Sequence, residues 1–441
     1  MAVVAAIALA LELRLFRLID KNAVNLLFGD QWDFMTSFFE RQPLWRLYVQ
    51  QYGPHREGLG FVLDKFVFDF THWNSRAEAF FIFAIMSLAM AAAVWLKHRL
   101  FGSITAWDAV IPCLFLTAGQ YEIFTGAISP APQSFPILLL VLYCIAWLHT
   151  HLWARYGLVL GMNFLLLYSG YGLFVGLLTP VFLGLEWLRE RRSDRSGGSA
   201  ALALLISLAS LGSFFVGYKF GYRSVCAVEA HGIAPRMRYV GLMFANFLRI
   251  KGTGVVPSLA GLLLLAGAAG IFLGSLRNLM KTEEDSTRRV IAILFGYSLV
   301  VATAAAVGRL CLGMQYAQSS RYVTYLIPAF LGFYFRILQM ERPQARKIVL
   351  GLMMISTGIP AIWLSRSDKG TLRWLSSGKQ AWRACYLQSE DIARCDAVSR
   401  FPVYPNPEAV HLKEKLEYLK RNQLNLYSDV SAANDENGHV K

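Results

Sequence analysis

Apolar residues in this chain gather in long blocks, and polar residues crowd into the gaps between them. Eleven blocks can be drawn, at 2–18, 76–96, 104–119, 133–150, 155–169, 171–187, 199–218, 255–275, 290–307, 322–338 and 347–364. Each comes close to the ~20 residues a helix needs to cross ~30 Å of hydrocarbon at 1.5 Å per residue. One or two such blocks could fill a soluble core; eleven in one chain favour lipid. The pattern predicts an all-α polytopic membrane protein with about 11 transmembrane helices.

Two amphipathic stretches break this rhythm inside the long gap 19–75. Trp32, Phe34, Met35, Phe38 and Phe39 make one, and 59–70 makes the other; both are expected to lie along the membrane surface. A third amphipathic helix is expected at 408–422, with Leu412, Leu416 and Leu419 on one face. The domain plan is a membrane body at 1–364, a small outer segment at 365–427 and a disordered tail at 428–441.

Charge sets the orientation. Lys97-His98-Arg99, Arg155, the stretch Arg189 to Arg195, the stretch Arg277 to Arg289 and the stretch Arg336 to Lys347 share one side only if the blocks alternate as drawn. By the positive-inside bias that side is the cytosol. The N-terminus is then cytosolic, and the long connections 19–75, 120–132, 219–254, 308–321 and 365–441 face outward. The expected location is a bacterial inner membrane, multi-pass, with the C-terminus in the periplasm. The formal charge of +14 fits basic loops beside anionic lipid. No basic stripe interleaved with aromatics suggests nucleic acid. The apolar start leads into Glu12, Arg14 and Arg17 rather than a cleavage site, so it reads as a first membrane helix. The six cysteines form no CxxC pair. Cys385 and Cys395 both fall outside, where they either pair as a disulfide or remain free thiols.

The outward gaps hold the candidate chemistry. Asp30 and Asp33 sit among interfacial aromatics, where burial shifts a carboxyl toward catalytic use; Asp30 also reads as a helix N-cap. Pro54-His55-Arg56-Glu57 reads as an exposed polar turn or as part of a phosphate site. Arg309 and Arg321 oppose the positive-inside trend, so each needs an anionic partner. Arg321-Tyr322 also opens a helix, whose N-terminus favours anions. Glu122 either lines the same cavity or is an exposed loop acid. Lys219, Arg223, Glu229, His231, Arg236, Arg238, Arg249 and Lys251 form a basic loop, read first as a solvated or headgroup face and second as a pyrophosphate site.

In this arrangement the chain resembles the GT-C superfamily of polyprenyl-phosphate-sugar glycosyltransferases. The resemblance rests on a long first outer loop, the acids of Asp30-Gln31-Trp32-Asp33, the following His55-Arg56-Glu57, and the distal Ser320-Arg321-Tyr322. It implies an inverting transfer from a polyprenyl-phosphate-linked sugar to an outer acceptor glycan, lipid or protein. Asp33 or Asp30 is the implied general base. Arg321, Arg309, Arg56 and His55 are implied at the donor phosphate, with Glu122, Glu57, Tyr322, Lys219 and Arg223 lining the acceptor cavity. A divalent cation, Mg or Mn, is possible on two carboxylates. The family's paired Asp-Glu is here split by Gln31-Trp32, and its His-Pro-Pro element is replaced by Pro54-His55-Arg56. The competing readings are a polysaccharide polymerase or ligase, and a transporter or flippase of lipid-linked sugars.

Overall fold

The computed structural model describes residues 1–125, 131–192, 197–220, 232–280 and 285–428. Arg223, Glu229, His231 and the expected tail from 429 onward lie outside the described residues. Among the described residues the only strands form one two-residue hairpin; the rest is helix and connection.

Helix α1, Ala2–Asn22, leads into four short helices: α2 Gln31–Phe34, α3 Thr36–Phe39, α4 Leu44–Val49 and, beyond the hairpin β1 Gln51–Tyr52 and β2 His55–Arg56, α5 Gly58–Phe70. The amphipathic stretch expected at 59–70 is thus a real helix. The bundle continues with α6 Ser75–Phe101, α7 Val110–Phe115, α8 Tyr121–Phe124, α9 Ala131–Ala146, α10 Leu152–Leu167, α11 Leu173–Arg192, α12 Gly198–Phe214, α13 Ile233–Phe247, α14 Val255–Leu279, α15 Ser286–Arg309, α16 Arg321–Leu338 and α17 Pro343–Ile362. After a break at 363–365 come α18 Arg366–Ser389, α19 Ile392–Ser399 and α20 Leu412–Arg421.

Among the described residues five helical runs are long and apolar enough to cross a membrane: Ser75–Phe101, Gly170–Arg192, Val255–Leu279, Ser286–Leu312 and Pro343–Ser389. They coincide with five of the eleven predicted blocks, the last through α17. The other six depart from expectation for local reasons. Helix α1 carries five charges, and its Arg14 donates to the carbonyls of Ala361 (3.1 Å) and Ile362 at the end of α17. Helices α9 and α10 have 16 residues and α12 has 17. At 1.5 Å per residue these reach only about 24–26 Å. Helix α16 starts and nearly ends on arginine. The block 104–119 is broken outright. Thr105 and Asp108 form a capping box, and the helix that follows is only six residues long, with Pro112 inside it. Asp108 is fully buried, 2.8 Å from Lys97 and 2.5 Å from the Tyr334 hydroxyl, so the segment ends in an ion pair.

Helix α13 was not foreseen. It lies in the basic gap 219–254, yet Tyr239–Phe247 is buried throughout. A nine-residue apolar run is too short to read as a span. What admits it is small-residue packing: a Cβ on Gly261 of α14 would sit 1.9 Å from the carbonyl of Gly241, so the two backbones touch. The basic residues after it are not left to solvent. Arg249 meets the Asp368 carboxylate, and Lys251 lies 3.6 Å from it.

The bundle has two distinct ends. At one, Arg155, Arg189 and Arg289 converge on Glu186 at 3.0, 3.3 and 3.4 Å. At the other, the first loop and the chain's last segment share one core. Trp32, Phe34, Phe38, Phe61 and Trp73 pack in the same cluster as Trp382, Phe401, Leu412, Leu416 and Leu419. Segment 365–427 therefore completes the first loop rather than closing a core of its own. Hydrogen bonds stitch the halves: Asn425 Nδ2 donates to the Trp73 carbonyl (2.7 Å), and Gly29 N–H to that of Val403 (3.0 Å). Cys385 and Cys395 are disulfide-bonded, with Cα atoms 5.6 Å apart.

Candidate functional site

The sequence around Gly53-Pro54 builds a fixed mount. Gly53 takes φ +59° at the hairpin tip, and Tyr52 pairs with His55 across the turn. Arg56 then anchors the hairpin. Its guanidinium donates to the carbonyls of Phe214 (3.0 Å), Val216 (2.7 Å) and Val49. Held by three carbonyls and absent from the cavity wall described below, Arg56 is a structural strap rather than the expected phosphate ligand. Glu57 N–H donates to the Gln50 carbonyl (3.0 Å), and the chain then turns through Gly58 at φ +63°. A Cβ on Gly58 would lie 1.7 Å from the Tyr168 carbonyl oxygen. Gly58→Ala is therefore expected to destabilise the protein by about 2–4 kcal/mol, combining overpacking with left-handed strain. Thermal unfolding in detergent checks it; an unshifted transition refutes the close approach.

This mount presents His55 and Glu57, both buried, to a cavity of about 50 Å³ that opens to solvent. Across from the hairpin stand Arg309, the last residue of α15, and Arg321, the first of α16. Neither guanidinium makes an ion pair with a described carboxylate, and Arg321 Nε is buried without a partner. Asp30 is exposed and lines the same cavity. It precedes α2 but makes no side-chain cap bond.

The cavity's other titratable groups are tuned by burial. Loss of water, then the charge of Arg309, holds the His55 imidazole down to about 4, so it is neutral near pH 7. Burial pushes the Glu57 carboxyl up to about 8. Glu57 Oε1 lies 3.7 Å from His55 Nε2, too far for a hydrogen bond, and both Glu57 Oε2 and His55 Nδ1 are buried without partners. Near neutral pH the inner wall carries two guanidinium charges with no full negative charge among the buried groups. Such a wall suits an anion.

Comparison with protein-family models, curated proteins and solved structures finds no match for this chain.

Of the remaining predicted site residues, Asp33, Glu122 and Lys219 are placed elsewhere. Asp33 is absent from the cavity wall. It faces α20, where burial raises its carboxyl and the nearby Lys415 opposes the rise. Lys415 itself donates to Thr36 Oγ1 (2.8 Å) and to the Trp32 carbonyl. Glu122 caps α16: its Oε2 accepts from Ser319 Oγ (2.8 Å), Ser320 Oγ (2.7 Å) and Arg321 N–H (2.9 Å). The helix N-terminus expected to hold a ligand anion is thus already occupied by this carboxylate. Lys219 meets the first loop only through its backbone, which exchanges bonds of 2.8 and 3.1 Å with Gln51. Tyr322 lines the cavity.

Residues not foreseen complete the wall. Tyr171 stacks on His55 with centroids 5.1 Å apart and meets Tyr325 at 4.5 Å. Gln133 is buried with Oε1 unpartnered. Tyr171 had one signal, its place between two glycines at a break between blocks. A divalent cation fits this donor set poorly. Glu57 and Asp30 are the only carboxylates on the wall, and two guanidiniums share it. Among the described residues no three His, Cys, Asp or Glu converge.

Proposed function

We propose that this protein is a membrane glycosyltransferase that moves a sugar from a polyprenyl-phosphate donor to an acceptor hydroxyl on the outer side of the membrane. The observation that carries the reading is the pair Arg309 and Arg321, without ionic partners among the described residues, at the end of the bundle and facing an aromatic cavity. A phosphodiester at the membrane surface would neutralise them. Guanidiniums bind phosphate through paired N–H donors and stabilise the charge that grows on a departing phosphate. Aromatic faces such as Tyr171 and Tyr325 suit the apolar face of a sugar ring.

The eleven-crossing topology and a bacterial inner membrane belong to this proposal. An outward-facing cavity accords with Cys311, which is disulfide-bonded just after α15, and with the Cys385–Cys395 bridge. The arginine cluster on Glu186 lies at the opposite end, as a cytosolic face requires.

Reconstitution in proteoliposomes with a radiolabelled polyprenyl-phosphate sugar and an extract of envelope acceptors tests the reading. Label is expected to pass to a water-soluble or lipid acceptor in wild type and to stay on the donor in Arg309→Ala/Arg321→Ala. Donor that only changes leaflet, with no new glycoside, refutes transfer and favours a flippase.

A further inference from the structure

Within the transferase reading, on which this inference rests, the two sequence-designated aspartates do not stand where the acceptor's proton must go. Asp33 is off the cavity, turned toward α20. Asp30 is at the exposed rim, where water competes for its hydrogen bonds. Glu57 differs on each count. It is 1% exposed, lines the cavity and keeps Oε2 unpartnered.

We propose that Glu57 is the catalytic base that takes the proton from the acceptor hydroxyl, with the neutral His55 beside it as hydrogen-bonding partner to the acceptor.

The step balances without a further reagent. The acceptor oxygen forms a bond to the anomeric carbon as the bond from that carbon to the phosphate oxygen breaks. The electron pair leaves with the polyprenyl phosphate, held by Arg309 and Arg321. The hydroxyl proton passes to Glu57, which releases it to solvent through the cavity mouth before the next turnover. Glu57 needs no rearrangement to act. Its backbone is fixed by the Gln50 carbonyl, its hairpin by the Arg56 strap, and its C-terminal neighbour by the close approach of Gly58 to Tyr168. A base held this way is preorganised.

Burial sets its titration, and several titratable and charged groups face it. On its own hairpin these are His55 and Tyr52. Across the cavity stand Arg309 on α15 and Arg321, Tyr322 and Tyr325 on α16, with Tyr171 ahead of α11 and Asp30 at the rim. The folded enzyme holds the Glu57 proton up to about 8. Below that value the base form is scarce, so turnover should rise with pH and level off above it.

The test measures donor affinity and single-turnover transfer separately, from pH 6 to 9, in nanodiscs loaded with a polyprenyl-phosphate sugar. Glu57→Gln reproduces the protonated carboxyl in shape, so folding and donor affinity should be kept. Transfer should fall roughly 10²- to 10⁴-fold and lose its rising pH limb. Glu57→Asp should recover part of the rate and restore a pH limb. Transfer by Glu57→Gln at the wild-type rate, or with the wild-type pH limb, overturns the assignment. A loss of rate in Asp30→Asn with Glu57→Gln fully active would move the role to the rim. Failure of the wild type to bind the donor at all is a different outcome, because it overturns the transferase reading itself.

Discussion

Replacing Arg321 with alanine is expected to weaken donor binding by roughly thirtyfold to several-thousandfold, and replacing Arg309 as well should abolish measurable binding. Arg321 is fixed by the fold. It opens α16, and Glu122 holds that first turn by accepting from Ser319, Ser320 and the Arg321 amide. With the backbone clamped, the guanidinium loses little freedom when a phosphate arrives. Removing one partner of a buried charged hydrogen-bonded pair costs about 2–5 kcal/mol, which is the stated range of affinity. Arg321→Lys keeps the charge and loses the planar fork, so its binding should fall between wild type and alanine. Glu122→Gln weakens the clamp and leaves both guanidiniums in place; its effect should be smaller than that of Arg321→Ala. Equilibrium binding of the polyprenyl-phosphate sugar in nanodiscs reads all four, with inorganic phosphate as competitor. Wild-type affinity in Arg309→Ala/Arg321→Ala would leave the cavity without its anion.

Much of this was legible because hydrophobic blocks and surface amphipathicity are local properties. The helix at 58–70 and the face of Leu412, Leu416 and Leu419 follow from residue spacing alone, and both are present. So is the grouping of Asp30, His55, Arg309 and Arg321, drawn from separate gaps between the blocks, which line one cavity. What could not be read depended on which carbonyls and carboxylates a charge would find. Arg56 and Arg321 look alike in sequence, yet three carbonyls from α4 and the end of α12 take up the first and none is shown at the second. Glu122 is remote from Arg321 in sequence, and only the fold brings its carboxylate to that helix end. Helix α13 was hidden for another reason. Its burial depends on a glycine contact between helices rather than on its own length. Block counting fails in the same way at 104–119, where Pro112 and the buried pair of Lys97 with Asp108 shorten a helix that hydropathy alone would extend.

Trp382→Ala is expected to loosen two segments far apart in sequence, the first loop and the last segment, while leaving the membrane helices intact. Trp382 is fully buried. It stacks on Tyr386 with centroids 4.9 Å apart, and its indole N–H donates to Asp396 Oδ1 at 2.6 Å. Truncation of a buried tryptophan costs about 3–5 kcal/mol, and Asp396 Oδ1 is left with only the Val403 N–H at 3.4 Å. That cost is a large share of what a lobe of this size can hold in reserve. Because the lobe has one core, the loss cannot stay on one side of it. Phe28 stacks on Phe401 at 4.8 Å, and Lys415 bonds Thr36 on α3, so melting of the last segment withdraws support from 23–40. Hydrogen exchange by mass spectrometry is the direct measurement. Faster exchange should appear in 372–428 and in 23–40 together, with α14 and α15 unchanged. Trp382→Phe keeps the stacking and loses only the indole bond, so it should cost about 1–2 kcal/mol and leave both segments protected. Faster exchange confined to 365–428 would show instead that the last segment folds alone, and the first loop would then need some other support to hold Asp30 and Glu57 at the cavity.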